Sequence, residues 1–347
     1  MDTGRTRLAR KPADNTKPAK VVAITGTSEF FGSGLMGRLE SDPACRKILA
    51  IDVREPPNPG RKVTFCPVDL TTPEAGHELA GLFRSHRVDT IVHLAFLSHP
   101  IHDTTYAHEL QVIGTMHVLN AVAAAQRGKN RVKQVVMLSS TMVYGARPDN
   151  PNFLLEDRRL KKTPHCPLVN DLVEAEEQLQ QFAGKHPKVS TTVLRMGCLL
   201  GPQADGVIPR LLAGSTVPTV MGYDPLFQFL HENDALDALK LALDKDQKGV
   251  FNIVADGVLP FSTVLRLGGK MCVPIPHFLW EKVGGFLWAF QTLDIPPSFL
   301  DFLRYLWVAD GTRAKKKLGF SPGYTTREAV LEFVRSGRSG QAEVSDG

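Results

Sequence analysis

Short aliphatic runs alternate along the first two hundred residues with longer stretches of helical spacing. Val21-Val22-Ala23-Ile24 is apolar on both faces and stops at Thr25-Gly26, the pattern of a buried strand. Phe31 to Leu39 then shows apolar residues at helical spacing. Ile48 to Ile51 predicts a second buried strand closing at Asp52, and Val63-Thr64-Phe65 a third, followed by Asp69. Thr90 to Leu94 predicts a fourth, and Thr105 to Gln126 a long helix. A fifth strand, Val135 to Leu138, ends at Ser139-Ser140; a helix rich in Glu and Gln follows over Asp171 to Phe182, and a sixth strand over Thr192-Val193-Leu194. Apolar strands alternating with helices imply βαβ units, right-handed crossovers and a doubly wound parallel sheet covered on both faces. Beyond Pro202 the segments shorten and carry more proline and aromatic residues, up to a final helix near Thr326 to Val334. The chain is therefore expected to divide into a disordered basic tail (1–19), a sheet domain (20–202), segments of a smaller C-terminal lobe on the sheet's carboxyl edge (203–336) and a disordered tail (337–347).

Composition narrows the class. With 347 residues, 43% of them hydrophobic, the chain can bury a sizeable core and is neither a disordered protein nor a disulfide scaffold. Of the formal +5 charge, residues 1–20 carry a net +4 through Arg5, Arg7, Arg10, Lys11, Lys17 and Lys20 against Asp2 and Asp14. The rest is close to neutral, so no nucleic-acid footprint is expected. That leader has no apolar core of a secretory signal. The best candidate for a membrane span, Val283 to Leu293, is 11 residues without charge and carries two glycines, against about 20 needed. Five cysteines (45, 66, 166, 198 and 272) include no Cys-x-x-Cys, which fits reduced thiols in a cytoplasm. His93, His99, His102 and His108 crowd one region without ligand spacing, and no metal site is expected.

Candidate chemistry begins where the first strand meets the first helix, at Thr25-Gly26-Thr27-Ser28-Glu29-Phe30-Phe31-Gly32. A helix N-terminus behind a glycine turn offers free amides and a positive dipole end to a pyrophosphate. Gly26 suits the tight turn and Gly32 the close packing of helix on strand, but Glu29 occupies the middle position, where a carboxylate is unfavourable unless it points to solvent. Asp52, closing the second strand 20 residues beyond Gly32, can bond ribose hydroxyls and favours NAD over NADP; Arg54 nearby keeps NADP open.

These features, with several later ones in order, resemble the extended short-chain dehydrogenase/reductases, the NAD-dependent epimerase/dehydratase family, from about Val21 to Val334. Asp69-Leu70 looks like the adenine-contacting pair, and His93-Leu94-Ala95 like the fourth-strand motif beside the cofactor. Gln111 stands where the Asn-x-x-Gly-Thr helix has asparagine, before Gly114-Thr115. Ser139 to Gly145 is similar to the fifth-strand signature, and Arg195, Gly201-Pro202 and His231-Glu232-Asn233-Asp234 to later motifs. The resemblance implies a Rossmann-type NAD(P)-binding fold, with cofactor contacts at Gly26, Phe30, Phe31, Gly32, Asp52, Asp69, Leu70, Leu94 and Ala95, and a possible homodimer. It also implies a catalytic Ser or Thr, matched by Ser140, and a Tyr-x-x-x-Lys pair on one helical face.

That pair is missing. The corresponding helix, Pro167 to Glu176, places Leu168 at the tyrosine and Leu172 at the lysine, and no Tyr-x-x-x-Lys occurs anywhere in the chain. A phenol is a poor base at neutral pH without a neighbouring cation, and two leucines move no proton. Ser140 is then a remnant. His165 and Cys166 are candidates for a substitute base, and Tyr144 is expected to shape the nicotinamide pocket. Asn170 and Asp171 are expected to cap or face solvent. The aromatic stretch Phe278 to Trp307 reads as lobe core, a greasy substrate wall, a subunit contact or an interfacial helix. Two functions stay open: a dinucleotide-binding or sensing pseudoenzyme with room for a small ligand in an apolar pocket, or an active oxidoreductase or epimerase on a nucleotide sugar or apolar hydroxy or keto compound with an unusual proton route.

Overall fold

A computed structural model describes residues 19–127, 131–164, 166–279 and 297–345, with side chains to residue 337. Seven parallel strands form the central sheet: β1 (Lys20–Thr25), β2 (Cys45–Asp52), β3 (Val63–Pro67), β4 (Thr90–His93), β5 (Gln134–Ser140), β6 (Ser190–Met196) and, later in the chain, β11 (Gly249–Ile253). Their order is β11-β6-β5-β4-β1-β2-β3. The sequence order therefore reverses beside β1. Connections leaving β1 and β4 run to opposite faces of the sheet there, which opens a crevice at the strands' carboxyl ends.

Alternation explains why β1 is apolar throughout. Val21 and Ala23 pack with Leu79 and Phe83 of α2 (Ala75–Ser85), Val118 and Val122 of α4 (Gly114–Ala125) and Leu179 and Phe182 of α5 (Pro167–Lys185). Val22 and Ile24 face the other way, onto Leu35 and Leu39 of α1 (Phe30–Glu40) and Leu236, Leu239 and Leu243 of α7 (Glu232–Lys245). A strand buried on both faces has no polar side to show. The predicted helix over 105–126 is realised in three parts: α3 (Thr104–His108), a π-helical turn (Glu109–Ile113) and α4. Helix α5 starts four residues before the predicted Asp171, at Pro167, whose fixed φ and missing N–H suit a first helical position.

The sheet does not end at its sixth strand. β11 comes from the stretch assigned to the lobe and pairs with β6 from Gly249↔Thr192 to Ile253↔Met196, covering what would otherwise be an unpaired edge. The stretch beyond Pro202 is thus not confined to the lobe. The remaining elements are β7 (Cys198–Leu200), α6 (Val207–Ala213), β8 (Thr216–Val220), β9 (Leu226–Phe227), β10 (Phe229–His231), β12 (Leu259–Pro260), α8 (Phe261–Gly268), β13 (Met271–Ile275) and the closing α9 (Thr326–Ser345). A third core joins Leu168 and Val169 of α5 to Leu211, Phe227, Phe261, Phe299, Phe302 and Trp307. The later part of the aromatic stretch, Phe299, Phe302 and Trp307, is therefore lobe core, whereas Phe278 at its start is exposed; Trp280 and Trp288 lie outside the described residues. Among the described residues no helix is long and apolar enough to cross a membrane.

Candidate cofactor cleft and the pocket beside it

The crevice beside β1 holds a cleft of about 310 Å³. Its floor is the glycine turn. Gly26 has φ 72° and lies so close to β4 that a Cβ there would meet the Leu94 carbonyl and the Ala95 nitrogen at 2.8 Å. A Cβ on Gly32 would meet Gly26 O at 2.2 Å and Thr27 Cα at 2.5 Å. Both contacts are with backbone, so neither position accepts a side chain without moving the turn. Helix α1 begins at Phe30 with no side-chain cap, which leaves its first amides open. Glu29, the residue before it, is exposed, so its carboxylate stands at the rim.

Asp52 ties the turn to the end of β2: its Oδ2 accepts from Ser28 N at 2.9 Å and Ser28 Oγ at 3.0 Å, and its Oδ1 accepts from Val53 N at 2.8 Å. Asp69 accepts from the Thr71 amide and hydroxyl, and Leu70 is buried beside it. Of the residues expected to contact a cofactor, Gly26, Phe30, Phe31, Asp52, Asp69, Leu70, Leu94 and Ala95 line the cleft, and Gly32 sits beneath the turn.

The histidine at the end of β4 is structural. His93 is fully buried, and burial drives its pKa down to about 3. The Thr25 hydroxyl lies 2.7 Å from Nδ1 and the Thr115 hydroxyl 2.9 Å from Nε2. Thr115 donates to Gln111 O at 2.5 Å and Leu94 N donates to Thr25 Oγ1 at 3.2 Å, so the ring is a neutral Nε2–H tautomer with every partner satisfied. Gln111 occupies its place with a working contact, accepting from Leu97 N at 3.2 Å.

A second cavity of about 130 Å³ adjoins the cleft and shares Phe31, Phe96, Leu97, Ser98, Leu199 and Asp205 with it. Ser140, Leu168 and Leu172 meet here, among Leu138, Met142, Met196 and Ile208. The two leucines are buried at 7% and 6% exposure, one turn apart on α5. Among the described residues, the ionisable side chains on this wall are Cys198 and Asp205. Burial pushes the Cys198 thiol far up, so it stays protonated. Burial works against a charge on Asp205, but bonds from Arg210, Ser98 and the Gly206 amide outweigh it and hold the carboxyl at about 2. Neither group is a base poised near neutral pH.

Tyr144 does not shape this cavity. It is buried, donates to Asn252 Oδ1 at 2.7 Å and accepts from Arg195 Nη1 at 2.8 Å. Arg195 also grips Glu176, with Nη2 to Oε2 at 2.6 Å and Nε to Oε1 at 3.0 Å, and Ser139 Oγ donates to Glu176 Oε1 at 2.5 Å. This buried pair is the reason the tyrosine turns inward: its oxygen completes the guanidinium's bonds. Sequence reading picked out Arg195 but not Glu176, whose signal is its place four residues after Leu172, on the inner face of α5. Asp171 is also not solvated. It is buried, bonded to His108 Nδ1 at 2.9 Å and Gln111 Nε2 at 3.3 Å, and burial raises its pKa. Asn170 pins the preceding loop, accepting from Thr163 N at 2.7 Å. Cys166 is buried, and His165 lies outside the described residues. Among the described residues no group of side chains could hold a metal ion.

A parallel sheet with its crevice at the order reversal, a glycine turn and a strand-end acid define a dinucleotide-fold protein. Residues 22–254 match the model of the NAD dependent epimerase/dehydratase family, and the chain belongs to that family. An uncharacterised protein of Mycobacterium tuberculosis is 33% identical over 323 residues, covering 91% of this chain and 84% of its own. A dTDP-6-deoxy-L-talose 4-dehydrogenase (NAD(P)(+)) of Kitasatospora kifunensis is 28% identical over 92% of this chain and 96% of its own. Similar solved structures include a dTDP-glucose 4,6-dehydratase from Bacillus anthracis in complex with NAD (TM-score 0.69, 18% identity, 93% of this chain and 98% of that one). A UDP-glucose 4-epimerase from Thermotoga maritima with UDP-glucose gives TM-score 0.69 at 20% identity, over 92% and 99%. At these identities the solved structures bear on the fold alone.

Proposed function

We propose that the protein binds NAD in the cleft beside β1 and works as a binding or sensing pseudoenzyme rather than a dehydrogenase or epimerase. The residues fit the cofactor. A cradle that a Cβ on Gly26 or Gly32 would fill, next to the uncapped amides of α1, suits a pyrophosphate. Asp52 would exchange its Ser28 bonds for the adenosine ribose hydroxyls, and Asp69 and Leu70 would flank the adenine. An acid at the end of β2 favours NAD over NADP. Bound nicotinamide supplies a hydride donor or acceptor; this chain's residues would have to supply the proton.

The observation that carries the proposal is that Leu168 and Leu172 line the cavity beside Ser140, with no cation and no near-neutral base on its wall among the described residues. Ser140 Oγ accepts from Met142 N at 3.2 Å, so the hydroxyl proton remains available to orient a ligand oxygen. A cavity of about 130 Å³ is small against the about 300–1,000 Å³ of ordinary ligand sites, and its walls are mainly hydrocarbon. It suits a small apolar hydroxy or keto ligand better than a nucleotide sugar.

The test is to titrate NAD, NADH and NADP by thermal shift and then follow NADH consumption with a panel of carbonyl compounds and dTDP- and UDP-sugars. Stabilisation by NAD without turnover is expected. Robust turnover abolished by Ser140→Ala would support the active-enzyme alternative and overturn this reading.

A further inference from the structure

At the opposite edge of the sheet from the cleft, where strands β1, β2 and β3 begin, lies an open groove of about 410 Å³. Arg46, Lys47, Arg61, Lys62, His86 and Arg87 line it, and no carboxylate does. Several surface cations elsewhere are paired, among them Arg38 with Asp237, Arg210 with Asp205, Lys240 with Asp42 and Asp244, Arg313 with Asp157, and Lys315 with Asp256. Arg46, Arg61 and Arg87 are exposed and form no ion pair among the described residues. Lys47 donates to another basic group, His86 Nδ1, at 3.0 Å. Burial and the Lys47 ammonium behind it both lower the His86 pKa, the response of an imidazole in a positive field without a counter-ion.

The neighbouring acids lie outside the groove wall, and the Lys62 ammonium turns toward them, donating to Asp42 O at 2.7 Å. Glu40 accepts from the Lys62 amide at 3.2 Å, Asp42 holds Lys240 at 2.7 Å, and Asp89 accepts from the Val21 amide at 3.0 Å. Helices α1 and α2 also end at this edge, but a helix C-terminus carries only about half a negative charge. The groove wall itself carries two lysines and three arginines and no carboxylate, and like charges held together disfavour the compact state.

We infer that this groove is a binding site for a ligand bearing two or more phosphate groups. Arg46, Arg61 and Arg87 would grip phosphate oxygens with their forked donors, and Lys47 would supply charge from the floor. Condensed phosphates free in solution and the headgroups of an anionic bilayer share this chemistry, and the experiment separates them.

Pyrophosphate is titrated into the full-length chain by calorimetry at low and high salt, with saturating NAD present to occupy the cleft. Cosedimentation with phosphatidylglycerol and with phosphatidylcholine vesicles runs in parallel. Saturable, salt-sensitive pyrophosphate binding that weakens at least about tenfold in the triple variant Arg46→Gln/Arg61→Gln/Arg87→Gln supports the site with a soluble ligand. Retention on phosphatidylglycerol alone, lost in the same variant, supports it with a lipid headgroup. The three arginines are exposed and unpaired, so the variant should keep the wild-type melting temperature and NAD response. Absence of both kinds of binding, or equal binding by variant and wild type, overturns the inference. Because the variant leaves the cleft intact, failure here and failure to bind NAD are read separately.

Discussion

The cleft and the apolar pocket share a wall, yet opposite constraints govern them. In the cleft the backbone does the work: Gly26 and Gly32 have no space for a Cβ, and Asp52 holds the turn through its carboxylate. In the pocket side chains set the character, and most of them, Leu168 and Leu172 included, are hydrocarbon. A cradle made from backbone geometry is lost only if the chain cannot pack. A proton-handling pair made from two side chains can disappear without touching the fold, because leucines bury on α5 at no cost in unsatisfied groups. A nucleotide cradle kept beside a pocket without acid–base equipment, as proposed, therefore asks nothing of the fold.

The largest effect should come from the scaffold behind the pocket. Arg195→Met leaves Glu176 buried without its partner and should cost about 3–5 kcal/mol by denaturant unfolding. Adding Glu176→Met should recover most of it, since replacing both members of a buried pair by apolar groups is often neutral. If the single variant is as stable as wild type, the pocket's back wall is not what fixes α5 against β6.

Next comes the pocket itself. Leu168→Tyr with Leu172→Lys restores the missing pair on one helical face and should raise NADH-dependent carbonyl turnover about 10²-fold or more over wild type. An unchanged rate in a folded variant that still binds NAD would show that more than the pair is missing. In the cleft, Gly32→Ala should destabilise by about 1–3 kcal/mol through overpacking and remove the NAD-induced rise in melting temperature.

The His93 imidazole tests the cleft's support by pH. Its folded pKa of about 3 is below the ordinary value of 6.5, so the unfolded chain takes up the proton first. Stability contributed by the neutral ring is complete above the unfolded value and is lost as pH falls from there toward the folded one, at about 1.4 kcal/mol per unit. Unfolding between pH about 6.5 and about 4.5 should show this slope, and His93→Gln should flatten it. The smallest change is expected from Asp52→Asn, which keeps the shape and removes the charge: NAD affinity should fall about tenfold in titrations, the effect of about 1.4 kcal/mol from a charge-assisted bond.

Much of this was present in the sequence. Uninterrupted aliphatic runs named six of the seven sheet strands, because a strand buried on both faces has no polar alternation to obscure it. Gly26, Gly32 and Asp52 could be placed because their roles depend on backbone positions at fixed offsets from one strand end. The absence of a Tyr-x-x-x-Lys pair was settled by spacing alone, since a contact one turn apart on a helix is local. Tertiary structure decided the rest, because it depends on what packs against what across long separations. Only the fold shows β11 returning to the sheet edge after the lobe has begun. Only the fold turns Tyr144 away from the pocket onto Arg195 and Asn252 and buries Asp171 against His108 and Gln111. It also gathers cations from the starts of β2 and β3 and from the loop after α2 into a single groove. A sequence states which groups are available; the desolvation and partners that give each group its role come from residues far along the chain.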